Sequence, residues 1–247
     1  MSENSLKCVL AFKWARNPED ARVGLDGAVD WSSAKMAASD DDEAAALLAR
    51  GLSADITGLT LGDGDVAWAA ARGASSTLSI SDARPALDSG WIAAVLAAGV
   101  ARLGAPAVVL VGDCTWEPAV PVLLGARLGW PVLAGVLEAT AAEGSLRVTR
   151  RTATKKETLT VTTPVVLAVL ARRQEKPPSM KEILAARKKP VERLTTADLG
   201  LKPPGAEIKL RGSAPPPAMQ VTVYAGRDDP AGAARQLVAA LRSEGVI

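Results

Sequence analysis

SGWIAAVLAAGVARLGAPAVVLVGDCTWEPAVPVLLGARLGWPVLAGVL, residues 89–137, decides the architecture. An Ala-rich apolar segment at 89–104 has helical length, and PAVVLV at 106–111 is a short apolar run of strand length. A second helical segment, entered through prolines, covers 118–129, and PVLAGVL at 131–137 is a second buried strand. Apolar runs of four to eight residues alternating with longer helical patterns predict a parallel sheet covered on both faces. Upstream, LKCVLAFK (6–13), DITGLTL (55–61) and STLSI (76–80) read as further strands. Between them lie a helix from about Asp42 to Arg50, closed by Gly51 in the left-handed conformation, and a short helix at 65–72. From Ser145 the pattern changes. SLRVTRR, ETLTVTT and PVVLAVL follow one another without a helix, which predicts antiparallel strands added at the sheet edge. After Ala171, to about Pro217, the chain is rich in Pro, Lys and Arg and has one helical segment, so it is expected to lie on another surface as an arm. MQVTVYAG and PAGAARQLVAALRSEGV read as a strand and a terminal amphipathic helix. The division expected is an α/β domain at 1–171, a recognition loop and arm at 172–217, and a C-terminal strand and helix at 218–247.

Composition removes several classes of function. The chain has 29 Lys and Arg against 27 Asp and Glu, a net charge of +2, which leaves no field of the strength that nucleic-acid binding requires. Phe12 and Tyr224 are the only non-Trp aromatics, too few for base-stacking platforms. Histidine is absent, which excludes every Ser/His or Cys/His nucleophile arrangement and the commonest metal ligand. Cys8 and Cys114 lie on separate segments without CxxC spacing, so neither a disulfide framework nor a thiolate metal site is expected. No apolar run reaches about 18 residues and the N-terminal stretch lacks a signal-peptide pattern, so a soluble, cytoplasmic protein is the expectation.

Three short stretches carry possible chemistry. GDGDVA, Gly62–Ala67, fits G-x-G-x-x-[GA] after a strand, with Asp82 twenty residues beyond the first Gly. It reads either as a dinucleotide turn of a single-chain NAD(P)- or nucleotide-binding enzyme, or as a tight βα turn with Asp65 as N-cap. The short helix, and Asp63 and Asp65 facing a pyrophosphate, count against the first. SDDDE (39–43) caps a helix well and would equally repel a phosphate. SMKEILAARKKP (179–190) places Met180, Ile183, Leu184 and Arg187 at helical spacing with Lys181, Lys188 and Lys189 turned elsewhere, either a solvated helix face or a docking element.

Residues 147–201 resemble the β subunit of electron transfer flavoproteins. That family has a strand ending LPAVV, an Asn-Glu-Pro-Arg-like recognition loop, an IMKAKKK helix and a DLG turn in fixed order. The corresponding residues here are Thr163-Pro164-Val165-Val166, Gln174-Glu175-Lys176-Pro177, ILAARKK (183–189) and Asp198-Leu199-Gly200. The closing stretch from PPAMQVTVYAG to SEGVI and, more loosely, VLAFKWARNPEDARV and SDDDEAAALLA are similar to the family's end and start, so the resemblance spans nearly the whole chain.

The resemblance implies a Rossmann-like parallel sheet of the adenine-nucleotide α-hydrolase type with antiparallel edge strands and an extended C-terminal arm. It implies a heterodimer in which the arm wraps an α subunit that holds most of the FAD site. It also implies a recognition loop that docks a flavin-dependent dehydrogenase through an apolar anchor, by position Met180 with Ile183, for onward transfer to a downstream electron acceptor. Such a chain is an electron-carrier subunit rather than a stand-alone enzyme. Family positions of a nucleotide pocket fall on Ala11, Ser39, Asp40, Asp41, Asp42, Leu61, Asp113, Cys114 and Thr115. The loop GDCTWEPAVP departs from the family's: it is shorter, lacks the family's Gln and second Gly, and places Trp116, Glu117 and Pro118 where amides would meet a phosphate. Weak or absent AMP binding, and no second FAD, are therefore expected.

Overall fold

The computed structural model describes residues 6–62, 64–83, 88–104, 106–113, 117–142, 144–172, 176–205, 208–209, 211–212 and 221–247. The first strand, β1 (Lys7–Ala11), leads into two small hairpins, in which β2 (Ala15–Arg16) pairs with β5 (Met36–Ala37) and β3 (Arg22–Val23) with β4 (Val29–Asp30). Then come α1 (Asp40–Leu52), β6 (Asp55–Leu61), α2 (Trp68–Ala71), β7 (Ser76–Ile80), α3 (Ser89–Arg102), β8 (Val108–Gly112) and α4 (Ala119–Leu128). The second half is β9 (Val132–Ala142), β10 (Ser145–Arg151), β11 (Lys156–Thr162), β12 (Val165–Val169), α5 (Met180–Ala186), β13 (Val191–Leu194) and α6 (Pro230–Ser243).

The main sheet has the order β11-β10-β9-β12-β8-β1-β6-β7-β13. From β1 the chain steps to β6 and β7 on one side, and α3 then carries it across to β8 on the other side of β1, so the topological switch point lies between β1 and β8. All pairs from β9 through β12, β8, β1, β6 and β7 to β13 are parallel. Alternation along each strand sorts side chains into two cores. Cys8, Leu10, Ile56, Val108, Leu110, Val165 and Leu167 pack with α1 and α2. Val9, Leu59, Leu78, Ile80, Val109 and Val166 pack with α3 and α4. Burial on both faces is why these strands read as unbroken apolar runs.

Several expectations are corrected. PVVLAVL is not an antiparallel edge strand: β12 lies inside the sheet, parallel to both β8 and β9. Among the described strands of the main sheet, only β10 and β11 are antiparallel additions. The chain can return because β9 bends at Gly135, whose φ of 68° is in the left-handed region and whose Cα faces the Arg151 carbonyl too closely for a side chain. Beyond the bend, Val136, Ala139, Leu146 and Val148 join the core that α1 covers. Gly51 does not terminate α1, which runs on to Leu52 with Ser53 extended behind it. The helix read over 65–72 is only Trp68–Ala71. Residues 221–226, the described part of the strand read in MQVTVYAG, are not a strand.

β13 was not anticipated. Its four residues, VERL, carry no strand pattern, yet they pair in parallel with β7 at the sheet edge. Thr196 then donates from its amide and its hydroxyl to the Asp82 carboxylate, both at 2.8 Å. The stretch 191–201 thus lies on this chain's own sheet, with Leu194, Leu199 and Leu201 against the α3-side core.

Candidate functional site

The C-terminal ends of the parallel strands converge at the switch point, where open α/β sheets bind ligands. Ala11, Leu61 and Val111 at strand ends, Ile92 and Leu96 of α3 and Val120 of α4 form an apolar pocket there. Phe12, Lys13, Asp42 and Glu117 complete its lining. The enclosed space is about 40 Å³, room for a few water molecules.

Local sequence explains why the polar groups stand where they do. Ser39 and Asp42 form a capping box: the Asp42 amide donates to Ser39 Oγ, while the Ser39 amide and hydroxyl donate to Asp42 Oδ2. The same carboxylate accepts from the Lys13 backbone amide, which ties the α1 N-terminus to the end of β1. Asp42 is almost completely buried, and burial pushes its carboxyl up to about 6 against the downward pull of the Ser39 and Lys13 hydrogen bonds, with Asp41 adding like charge. Burial likewise raises Asp113, a hydrogen bond from the Gly135 backbone opposes the rise, and Asp41 adds to it. Asp41 accepts from the Ala171 amide at 2.7 Å, where the chain leaves β12. Gly112 at the end of β8 lets these strands and α1 meet, because a Cβ there would stand about 3.0 Å from Asp41 Cβ and 3.1 Å from the Asp42 amide. Phe12 stacks on Trp68 at 4.7 Å, and the Arg72 guanidinium covers the same indole at 4.2 Å while pairing with Glu43. The exit of β1 is thereby held between α1 and α2.

Of the residues anticipated for a nucleotide pocket, Ala11, Asp42 and Leu61 line one cavity. Ser39 and Asp41 support it from the α1 N-terminus, Asp113 follows β8, and Asp40 faces solvent. Cys114 and Thr115, like Trp116, lie outside the described residues. Lys13 is the residue that pattern reading missed. Its Nζ stands 2.8 Å from Glu117 Oε1 across the pocket mouth. A lysine two residues past a buried strand carries no motif, so only the fold reveals the pair.

Asp42 and Glu117 line the pocket, Asp41 and Asp113 lie close behind it, and Lys13, just past β1, is already paired with Glu117, so the described groups at this end of the sheet are mainly acidic. The GDGDVA turn offers a pyrophosphate no better place. Its helix is four residues long, Asp65 Oδ1 is taken by the Ala67 amide, and Asp82 binds Thr196, so the acid that would read a ribose is committed to the fold.

The docking pair separates. α5 is capped by a second box, Ser179 with Glu182, and rests on α2 through Ile183 and Ala186. Lys189 anchors it by donating to the carbonyls of Ala70 and Ala74 at 3.0 and 2.7 Å. Ile183 is therefore half-buried within the chain, whereas Met180 is 69% exposed and Leu184 53%. At the far end of the chain α6 has no buried residue, and Leu237 and Val238 stand in solvent. Among the described residues no helix is long and apolar enough to cross a membrane, and no His, Cys, Asp and Glu cluster could hold a metal ion.

Compared with protein families, the chain matches the electron transfer flavoprotein domain over residues 27–199. The match takes in the α1 capping box, the strands from β6 to β13 with β8 of the switch point, and α5, while β1 lies before it.

Proposed function

We propose that this chain, which belongs to the electron transfer flavoprotein family, is the β-type subunit of a heterodimeric electron carrier. It helps an α-type subunit hold FAD and docks a flavin-dependent dehydrogenase, so that electrons pass to a downstream acceptor. The flavin supplies the redox chemistry when bound, and the residues of this chain supply position, docking and exclusion of charge.

The observation that supports the reading most is the tail. α6 has an apolar side with Leu237, Val238 and Leu241, is capped by Asp229, and buries none of its residues within the chain. An ordered helix of this kind gains most of its stability from a surface it can cover. The α-type subunit is the partner proposed to provide that surface, with the Pro-rich segment after Leu201 as the arm that reaches it. At the other end of the body, Met180 stands out from a helix that Ile183, Ala186 and Lys189 clamp in place, a rigid mount for an apolar anchor in a dehydrogenase pocket.

The carboxylates of the switch point and the Lys13–Glu117 pair favour a subunit that binds AMP weakly or not at all and carries no second FAD. Co-expression with a candidate α-type chain tests the whole reading. A yellow one-to-one complex that accepts electrons from a dehydrogenase is expected, and a chain that stays colourless and monomeric beside every α-type candidate while binding NAD by itself would sink it.

A further inference from the structure

Both helix N-termini that face the switch-point pocket already carry an anion from this chain. At α1 the capping box places the Asp42 carboxylate on the Ser39 and Lys13 amides. At α4 the donors are depleted: Pro118 and Pro121 have no N–H, and the Val120 amide donates to the Glu117 carbonyl. The carboxylate of Glu117 then stands just before this helix, where the dipole favours negative charge, and Lys13 meets it at 2.8 Å. With 25% and 18% of their side chains exposed, the two are screened from water by the pocket's apolar walls. The parts of an anion site are present, cation and helix terminus and apolar floor, and an internal carboxylate sits among them.

We propose that Glu117 is a built-in counter-ion that takes the position of a ligand's phosphate at the switch point, so that the crevice excludes phosphate monoesters as long as the Lys13–Glu117 pair is intact. Ala11, Leu61, Val111, Ile92 and Val120 form an apolar floor, and the pair stands at the mouth above it. Neutralising Glu117 frees the Lys13 ammonium and removes a like charge at contact distance, which together turn an excluding site into an accepting one. The inference rests on the proposed function in one respect, that this subunit works without a nucleotide of its own.

Calorimetric titration of the full-length chain with AMP, and separately with inorganic phosphate, tests it. The unsubstituted chain is expected to show no saturable binding below millimolar AMP. Glu117→Gln is expected to bind AMP at least about tenfold more tightly, with Glu117→Ala made alongside and thermal unfolding checking that each is folded. Adding Lys13→Met to Glu117→Gln should abolish the gain. Equal affinities for Glu117→Gln and the unsubstituted chain overturn the proposal, as does a gain that survives Lys13→Met. Micromolar AMP binding by the unsubstituted chain overturns it whatever the variants do. Flavin content and electron acceptance of the complex with an α-type chain are separate readouts, so the counter-ion can fail while the carrier role stands.

Discussion

The body of the molecule and its tail are built from similar residues and meet opposite fates. Leu110 in β8 is fully buried between α1 and the neighbouring strands, whereas Leu237 in α6 is 45% exposed although its helix is longer than α4 and properly capped. The difference lies in what each element can cover within one chain. β8 has strands on both sides and helices on both faces, whereas the described residues between Leu201 and α6 join no sheet. The same contrast recurs inside a single helix: α5 turns Ile183 and Ala186 onto α2 and leaves Met180 and Leu184 outside. Surface left bare on an ordered, capped element is where a partner is to be sought.

The largest expected effect tests that contrast directly. Leu110→Ala should cost about 2–5 kcal/mol in urea unfolding of the isolated chain, as large-to-small changes in packed cores do. Leu237→Ala should stay within about 0.5 kcal/mol in the same assay, and an equal loss in both would mean that α6 docks within the chain. In the complex with an α-type subunit, Leu237→Ala is expected to become costly.

Next is a buried carboxyl against exposed ones. The Asp42 carboxyl titrates near 6 in the folded chain and near the ordinary 3.8 when unfolded. Between those values the folded state holds more protons than the unfolded state, so stability falls as pH rises from about 4 to about 6 and the deficit persists above it. The size is about 3 kcal/mol at most. Asp42→Asn keeps an acceptor for Ser39 and should flatten that slope in unfolding curves recorded between pH 4 and 7. A slope unchanged by the substitution would assign it to other carboxyls.

A smaller loss is expected at the sheet edge. Asp82→Ala leaves the Thr196 amide and hydroxyl without their acceptor, which should cost about 1–3 kcal/mol and raise hydrogen exchange across 191–201. Unchanged exchange there would show that β13 is held by β7 alone. Smallest in stability, within about 0.5 kcal/mol, is Met180→Asp, because the side chain is mostly in solvent. Its effect should appear instead as weaker dehydrogenase docking, about tenfold or more in Kd, with flavin content unchanged; loss of both together would point to a structural role.

Much of the body was legible before any coordinates. DITGLTL and STLSI are β6 and β7 to the residue, and the segments at 89–104 and 118–129 are α3 and α4 within two residues of each end. Such segments announce themselves because they are buried on both faces, so every position is apolar or small. The capping boxes at Ser39 and Ser179 went unread, although each is a Ser followed three residues later by an acid. The site was legible only in part. Ala11, Asp42 and Leu61 do line one cavity, but Lys13 was silent, since an ion pair between positions 13 and 117 leaves no local pattern.

By itself, then, the sequence determined the parallel core and a resemblance to the electron transfer flavoprotein family that the domain match bears out at the level of the family. These depend on composition and on periodicities of two and 3.6 residues, which are local. The tertiary structure alone decided which strand entered the interior, that VERL became an edge strand, that Asp82 serves Thr196 rather than a ribose, and that Glu117 meets Lys13 at the mouth of the pocket. Each of those is a pairing across scores of residues. Its free energy comes from desolvation and from hydrogen bonds that exist only once the sheet has closed around them.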